Sequence, residues 1–145
     1  MAAEPLVILL AEDDEGHAVL VKRNLSRAGI ANEIVHVSNG QEAIDFVHRR
    51  GKFKDRANVS LLLVLDINMP CLDGVQVLQQ VKANESTSKI PVIMLTTTDD
   101  PREIERCYEC GCSVYITKPV EYEHFVEAVK RLGMFLQVVR VPPEN

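Results

Sequence analysis

Five short apolar runs, separated by stretches of helical periodicity, leave this 145-residue chain few ways to fold. The runs are residues 6–11, 34–37, 61–65, 91–95 and 114–116, the fourth opening on a proline, which a strand tolerates at its first position. They are too short for buried helices. The longest ones lack the polar alternation of a half-exposed strand, so they read as strands covered on both faces. Between them, residues 15–28 carry Ala18, Val21, Leu25 and Ala28 on one helical face, closed by Gly29. Asn39-Gly40 opens a second helix that buries Ala43, Ile44 and Val47. A third carries Val77, Leu78 and Val81 and ends near Asn84. Asp99-Asp100-Pro101 is a helix start, a capping carboxylate before a first-turn proline, for a helix running to about Cys110. A fifth helix, about 122–132, presents Phe125, Val129 and Leu132. Strands alternating with helices, joined by right-handed crossovers, predict a doubly wound α/β fold with a five-stranded parallel sheet in the order 2-1-3-4-5.

The length fits one domain, residues 1–145, and not a second folded unit. Acidic residues outnumber basic ones, 21 to 16, and the net charge of −5 argues against non-specific binding to nucleic acid or anionic membrane. The basic stretch 48–54 reads as a solvated loop after the second helix, within a polar connection, 51–60, that is longer than most of its kind. No basic leader precedes an apolar segment and no apolar run nears membrane-spanning length, so a cytoplasmic protein without membrane attachment is expected. The tail after the fifth helix is unusually apolar, with Phe135, Leu136, Val138 and Val139.

Asp66 directly follows Leu61-Leu62-Leu63-Val64-Leu65. A carboxylate after five aliphatics is costly to bury and serves no packing purpose. It is explained if the run is a buried strand and Asp66 emerges at its carboxyl end, the edge where open α/β sheets bind ligands. In the expected strand order the switch point falls between strands one and three, which brings Glu12-Asp13-Asp14 beside Asp66. Asp14 is explained by capping the first helix. Capping gives no reason for Asp66, and so explains too little for Glu12 and Asp13. Three carboxylates in one cleft raise one another's pKa unless a cation is supplied. A hard divalent ion, Mg2+ (or Mn2+), suits such oxygen ligands together with phosphate oxygens. The fourth and fifth strands end in Thr96 and in Thr117-Lys118-Pro119. A Thr hydroxyl can donate to an anion, and a Lys can pair with a carboxylate or phosphoryl oxygen. Taken singly, Thr96 is equally a strand-end residue and Lys118 a surface charge. Together with the acids they make a phosphoryl-handling set. A glycine-rich phosphate loop is missing, which argues against a bound nucleotide.

Cys107, Cys110 and Cys112 form a cluster, while Cys71 stands apart. No second group of Cys or His lies near them at zinc spacing, so they are expected to be reduced thiols at a helix end and a strand. His17, His36, His48 and His124 are scattered, and surface or half-buried positions are expected for them.

Leu10-Ala11-Glu12-Asp13-Asp14, Leu65-Asp66-Ile67-Asn68-Met69-Pro70 with Asp73-Gly74, Leu95-Thr96, and Tyr115-Ile116-Thr117-Lys118-Pro119 occur in that order. On these motifs, residues 5–133 resemble the receiver domain of two-component response regulators, a flavodoxin-like fold. The resemblance implies that Asp66 is the phosphoacceptor for a sensor histidine kinase. It implies that Glu12, Asp13, Asp66 and the Asn68 backbone carbonyl organise Mg2+, with Glu12 often acting through water. Thr96 and Lys118 would hold the phosphoryl oxygens, the peptide bond before Pro119 would be cis, and Tyr115 would turn inward as Thr96 moves to the phosphoryl group. The output surface would be helix four, strand five and helix five. The long stretch 49–60 and the apolar tail, 134–145, are similar to the small response regulators that pair with bacterial phytochromes. The chain leaves no room for a DNA-binding effector domain. The signal is therefore expected to pass by protein contact, with a homodimer formed through the output surface and the tail.

Two other functions use the same residues. A phosphohydrolase of the haloacid-dehalogenase kind also has an Asp nucleophile on an α/β sheet. It needs a second Asp two residues on as general acid, where this chain has Asn68, which cannot shuttle a proton. A docking module without phosphorylation would give no reason for the set Glu12, Asp13, Asp66, Thr96 and Lys118. The sequence thus reads as a switch rather than an enzyme with turnover.

Overall fold

The fold was obtained as a computed structural model, which describes residues 6–27, 31–97 and 100–117 together with Glu123 and Glu127. In chain order its elements are β1 (Leu6–Ala11), α1 (Glu15–Arg27), β2 (Ile34–Val37), α2 (Gly40–His48), β3 (Ser60–Asp66), α3 (Gly74–Ala83), β4 (Val92–Thr96), α4 (Pro101–Glu109) and β5 (Val114–Thr117). The strands pair in parallel in the order β2-β1-β3-β4-β5, as the alternation of runs and helices requires. Glu123 and Glu127 are helical and fall within the expected fifth helix; the rest of that helix and the apolar tail lie outside the described residues.

Two layers of core flank the sheet, and strand alternation decides which residue joins which. Val7, Leu9, Leu61, Leu63, Val92 and Met94 pack against α2 and α3, while Ile8, Leu10, Leu62, Val64, Ile93 and Leu95 pack against α1. All of these strand residues are buried, and β3 is buried along its length after Ser60. Each such aliphatic contributes about 1.5–3 kcal/mol by leaving water. That sum holds the strand in place although it delivers a carboxylate at its end. The helix faces match their periodicity: Ala18, Val21 and Leu25 in α1, and Val77, Leu78 and Val81 in α3, are buried.

Helix starts are set by side-chain caps. The His17 N–H donates to Asp14 Oδ1 at 3.0 Å, so Asp14 does cap α1. Asn39 accepts from the Glu42 N–H at 2.8 Å, and Glu42 returns the contact by accepting from the Ser38 N–H at 3.2 Å. Asp73 and Gln76 form a reciprocal capping box on α3, and Asp100 accepts from the Arg102 N–H at 2.9 Å on α4.

Two stretches differ from their sequence-based expectation. β4 begins at Val92, not at Pro91, although the Pro91 carbonyl still accepts from the Leu63 N–H. The connection after α2 is less loop-like than its polar composition implies. Arg49 closes α2 in the left-handed conformation, and a 3-10 turn follows at Gly51–Phe53. Phe53 lies edge-on to Phe46 with ring centroids 5.0 Å apart. Arg56 donates from Nε and Nη2 to the Phe46 and Val47 carbonyls, capping the end of α2 from outside it. Lys52 forms an ion pair with Glu42 and holds that carboxyl below its ordinary range.

The segment after β3 is pressed between two helix starts. The Leu72 N–H donates to the Pro70 carbonyl at 2.9 Å, closing a three-residue turn with Cys71 at a φ of 71°. A Cβ on Gly40 would lie 2.0 Å from the Leu72 carbonyl oxygen, and one on Gly74 would lie 2.3 Å from the Asp66 carbonyl oxygen. Both obstacles are backbone atoms, so neither can yield without moving the segment. Gly74→Ala is therefore expected to lower stability by about 1–3 kcal/mol, the usual cost of overpacking, read as an earlier midpoint in urea unfolding. An unchanged midpoint would mean that the loop after Asp66 is free to shift.

Candidate functional site

Parallel register builds the site. Ala11 pairs with Leu65, so the next residues, Glu12 and Asp66, arrive side by side at the carboxyl edge. Asp66 pairs with Leu95, and Thr96 with Thr117, which extends the same edge across β4 and β5. Glu12 and Thr96 are fully buried, Asp66 is 4% exposed, and Asp13 and Asn68 are exposed. One carboxylate oxygen from each of Glu12, Asp13 and Asp66 lies within 4.8 Å of the other two. At such distances like charges repel strongly in a partly buried site, by several kcal/mol at an effective dielectric of about 20. Three converging hard oxygens fit a divalent ion of the Mg2+ or Mn2+ type.

Glu12 is held more firmly than its neighbours in sequence suggested. Its backbone N–H donates to the Val37 carbonyl at 3.0 Å, and its Oε1 accepts from the Asp14 N–H at 3.2 Å. Two histidines read from sequence as incidental also contact it. His36 Nε2 lies 2.7 Å from the Glu12 carbonyl oxygen, which can only accept, so that nitrogen carries the proton. His17 Nδ1 lies 3.8 Å from Glu12 Oε1. Nothing in the sequence places β2 and α1 on either side of Glu12 at this level of detail. The signal that could have found His36 is its position in β2, one residue before Val37, whose carbonyl receives the Glu12 N–H.

Thr96 and Tyr115 share a hydrogen bond between their side chains, and strand alternation puts both on the face of the sheet that packs against α2 and α3. Burial raises the Tyr115 hydroxyl above its ordinary pKa, and the bond to Thr96 partly opposes that rise. The Tyr115 N–H in turn donates to the Tyr108 hydroxyl of α4 at 3.2 Å. The structure therefore brings together Glu12, Asp13, Asp66 and Thr96 at one edge, with Tyr115 directly behind Thr96. Lys118 and Pro119 lie outside the described residues.

This arrangement defines an acidic, ion-competent site at the switch point of a doubly wound sheet. A family model described as the response regulator receiver domain matches residues 8–130, and the chain belongs to that family. Response regulator Rcp1 of Synechocystis sp. is 32% identical over 139 residues, covering 95% of this chain and 94% of its own. The solved structure of the bacteriophytochrome response regulator RtBRR superposes with a TM-score of 0.83 at 37% identity, over 94% of this chain and 83% of that one. The Mn2+-bound form of Rcp1 superposes at 0.75 and 31% identity, over 96% and 100% of the two chains. Among the described residues no helix is long and apolar enough to cross a membrane.

All four cysteines are free thiols. Burial, helped by neighbouring acidic groups, pushes Cys107 up to about 11 (Glu103 and Cys110) and Cys112 up to about 12 (Cys107 and Cys110). Such thiols are poor nucleophiles and poor metal ligands at neutral pH, as expected for structural cysteines. Unfolding returns them to about 9. Their contribution to stability is therefore complete below pH 9 and is lost as pH rises towards 11 and 12, by up to about 1.4 kcal/mol per pH unit for each thiol. Chemical denaturation at stepped alkaline pH measures this slope, which is expected to flatten in the Cys107→Ala, Cys112→Ala double variant. An equal slope in both proteins would assign alkaline unfolding to other groups.

Proposed function

We propose that this protein is a response regulator whose receiver domain, residues 1–145 with a core of about 5–133, accepts a phosphoryl group on Asp66 from a sensor histidine kinase. The observation that carries the proposal is the convergence of Glu12, Asp13 and Asp66 at the sheet edge of a chain that belongs to the receiver family. Glu12, Asp13, the Asp66 carboxylate and the Asn68 backbone carbonyl are the groups that would hold Mg2+ or Mn2+. When bound, that ion supplies positive charge against the negative charge spread over a transferring phosphoryl group.

The remaining steps fall to the chain's own side chains. Buried β3 and the close approach of Gly74 hold Asp66 in one position, so its carboxylate meets the phosphorus of the donor without a search. Lys118, one residue past β5, is the cation assigned to the phosphoryl oxygens. The Thr96 hydroxyl donates to the same group, and in doing so loosens its bond to Tyr115. Tyr115 then repacks, which alters the surface formed by α4, β5 and the helix containing Glu123 and Glu127. A cis peptide before Pro119, outside the described residues, belongs to the same reading.

The kinase is proposed to be a bacterial phytochrome, because relatives such as RtBRR carry that association in their names and match this chain over most of its length. In this reading the signal passes by protein contact in the cytoplasm. A homodimer through α4, β5, the fifth helix and the tail residues Phe135, Leu136, Val138 and Val139 provides that contact. The protein acts as a switch that assists its own phosphorylation rather than as an enzyme with turnover. Asn68, exposed and unable to move a proton, speaks against the phosphohydrolase alternative.

Two measurements test this reading. Incubation with Mg2+ and a small-molecule phosphodonor is expected to add one phosphoryl group to the intact mass, with no adduct in Asp66→Asn. Continuous phosphate release would favour a hydrolase instead, and an absent adduct a docking module. Light scattering on a chain ending at Leu132 is expected to give the monomer mass where the full chain gives the dimer. An unchanged mass would remove the tail from dimerisation.

A further inference from the structure

At the amino edge of the sheet, opposite the acidic site, the segment after α2 folds beside a recess of about 650 Å3. Its size lies within the range of small-molecule sites. Arg49, Arg56 and Lys89 border it, and among the described residues no Asp or Glu does. The ion pairs of the described residues leave all three cations out. Gathering uncompensated positive charge is unexpected in a chain whose net charge is −5.

Arg49 and Lys89 are exposed, whereas Arg56 is half-buried and anchored. Arg56 is fixed by donating to the carbonyls of Phe46 at 2.6 Å, Val47 at 3.1 Å and Ala57 at 2.8 Å, and its guanidinium lies 4.7 Å from the Phe46 ring centroid. Three of its five N–H groups are thereby used, and two remain for a ligand. Arg49 stands near enough that its charge, after burial, is the second cause lowering the Arg56 pKa. An anion between them would relieve that repulsion. Asn58 adds a side-chain amide to the wall, while Leu61 and Ile90 supply apolar surface.

We infer that this recess binds a small phosphorylated metabolite of about nucleotide size, with its phosphoryl oxygens on Arg49, Arg56 and Lys89 and its organic part against Leu61 and Ile90. The sequence has no glycine-rich phosphate loop, so the anion is held by side chains instead of backbone N–H groups. The site shares no residue with the acidic edge, and its occupancy does not depend on Asp66.

Backbone-amide NMR with ATP as the probe, in magnesium-free buffer, tests the inference. The expected result is saturable one-to-one binding with shifts confined to residues 47–61 and 86–91. Replacing Arg49→Glu together with Lys89→Glu should weaken it about tenfold or more, and the milder Arg49→Gln, Lys89→Gln pair should move it in the same direction. Unfolding midpoints report that both variants are folded, and the Asp66 adduct mass should be unaffected. Four outcomes overturn the inference: no saturation, shifts centred on Glu12 and Asp66, pyrophosphate binding as tightly as ATP, or undiminished binding by the folded variants. Tighter binding of an acidic peptide at the same amides would also overturn it, by reassigning the recess to a protein partner.

Discussion

The pairing of Ala11 with Leu65 is the constraint on which the rest depends. It delivers Glu12 and Asp66 to the same level of the sheet, where Asp13 closes a group of three carboxylates within 4.8 Å. A slip of one residue would send Asp66 to the opposite face, because side chains alternate along a strand. The register is secured by the apolar run that leads to Asp66, Leu62, Leu63, Val64 and Leu65, none of which is exposed at all. Hydrophobic burial thus holds together charges that would separate if left to themselves.

A second consequence of packing is the rigidity of the backbone around Asp66. Gly74 lets α3 start against the Asp66 carbonyl, and Gly40 lets α2 start against the Leu72 carbonyl. The segment between them is also tied by the Gly74 N–H, which donates to the Ile67 carbonyl at 2.8 Å. On the other side, Thr96 is joined to Tyr115, and Tyr115 to Tyr108 in α4. An event at the carboxyl edge therefore has a short, hydrogen-bonded route to one outer face, whereas the anchored side of the site has little room to respond.

Much of this was legible because it follows from local pattern. Apolar runs without alternation located β1 and β3, and Asp14, Asn39 and Asp100 stood where caps belong. Asp66 stood out because nothing about packing explains a charge after Leu65. Other features were not legible. Phe53 and Arg56 sit in a polar stretch, yet they pack on Phe46 and cap α2 across several residues of chain. His36 and His17 looked scattered, yet the pairing of β2 with β1 sets His36 against Glu12, and the first turn of α1 brings His17 back to it. Arg49 and Lys89 are forty residues apart in sequence and share a recess between the end of α2 and the segment that enters β4.

What the sequence determined alone is the list of elements, their order and the chemistry offered at strand ends, since hydrophobic periodicity and capping act over a few residues. Only the tertiary structure decided the exact strand register, how deeply each carboxylate is buried, and which cations and histidines share a neighbourhood. Those outcomes come from strand register and helix packing, which join residues through space over distances that no local pattern records.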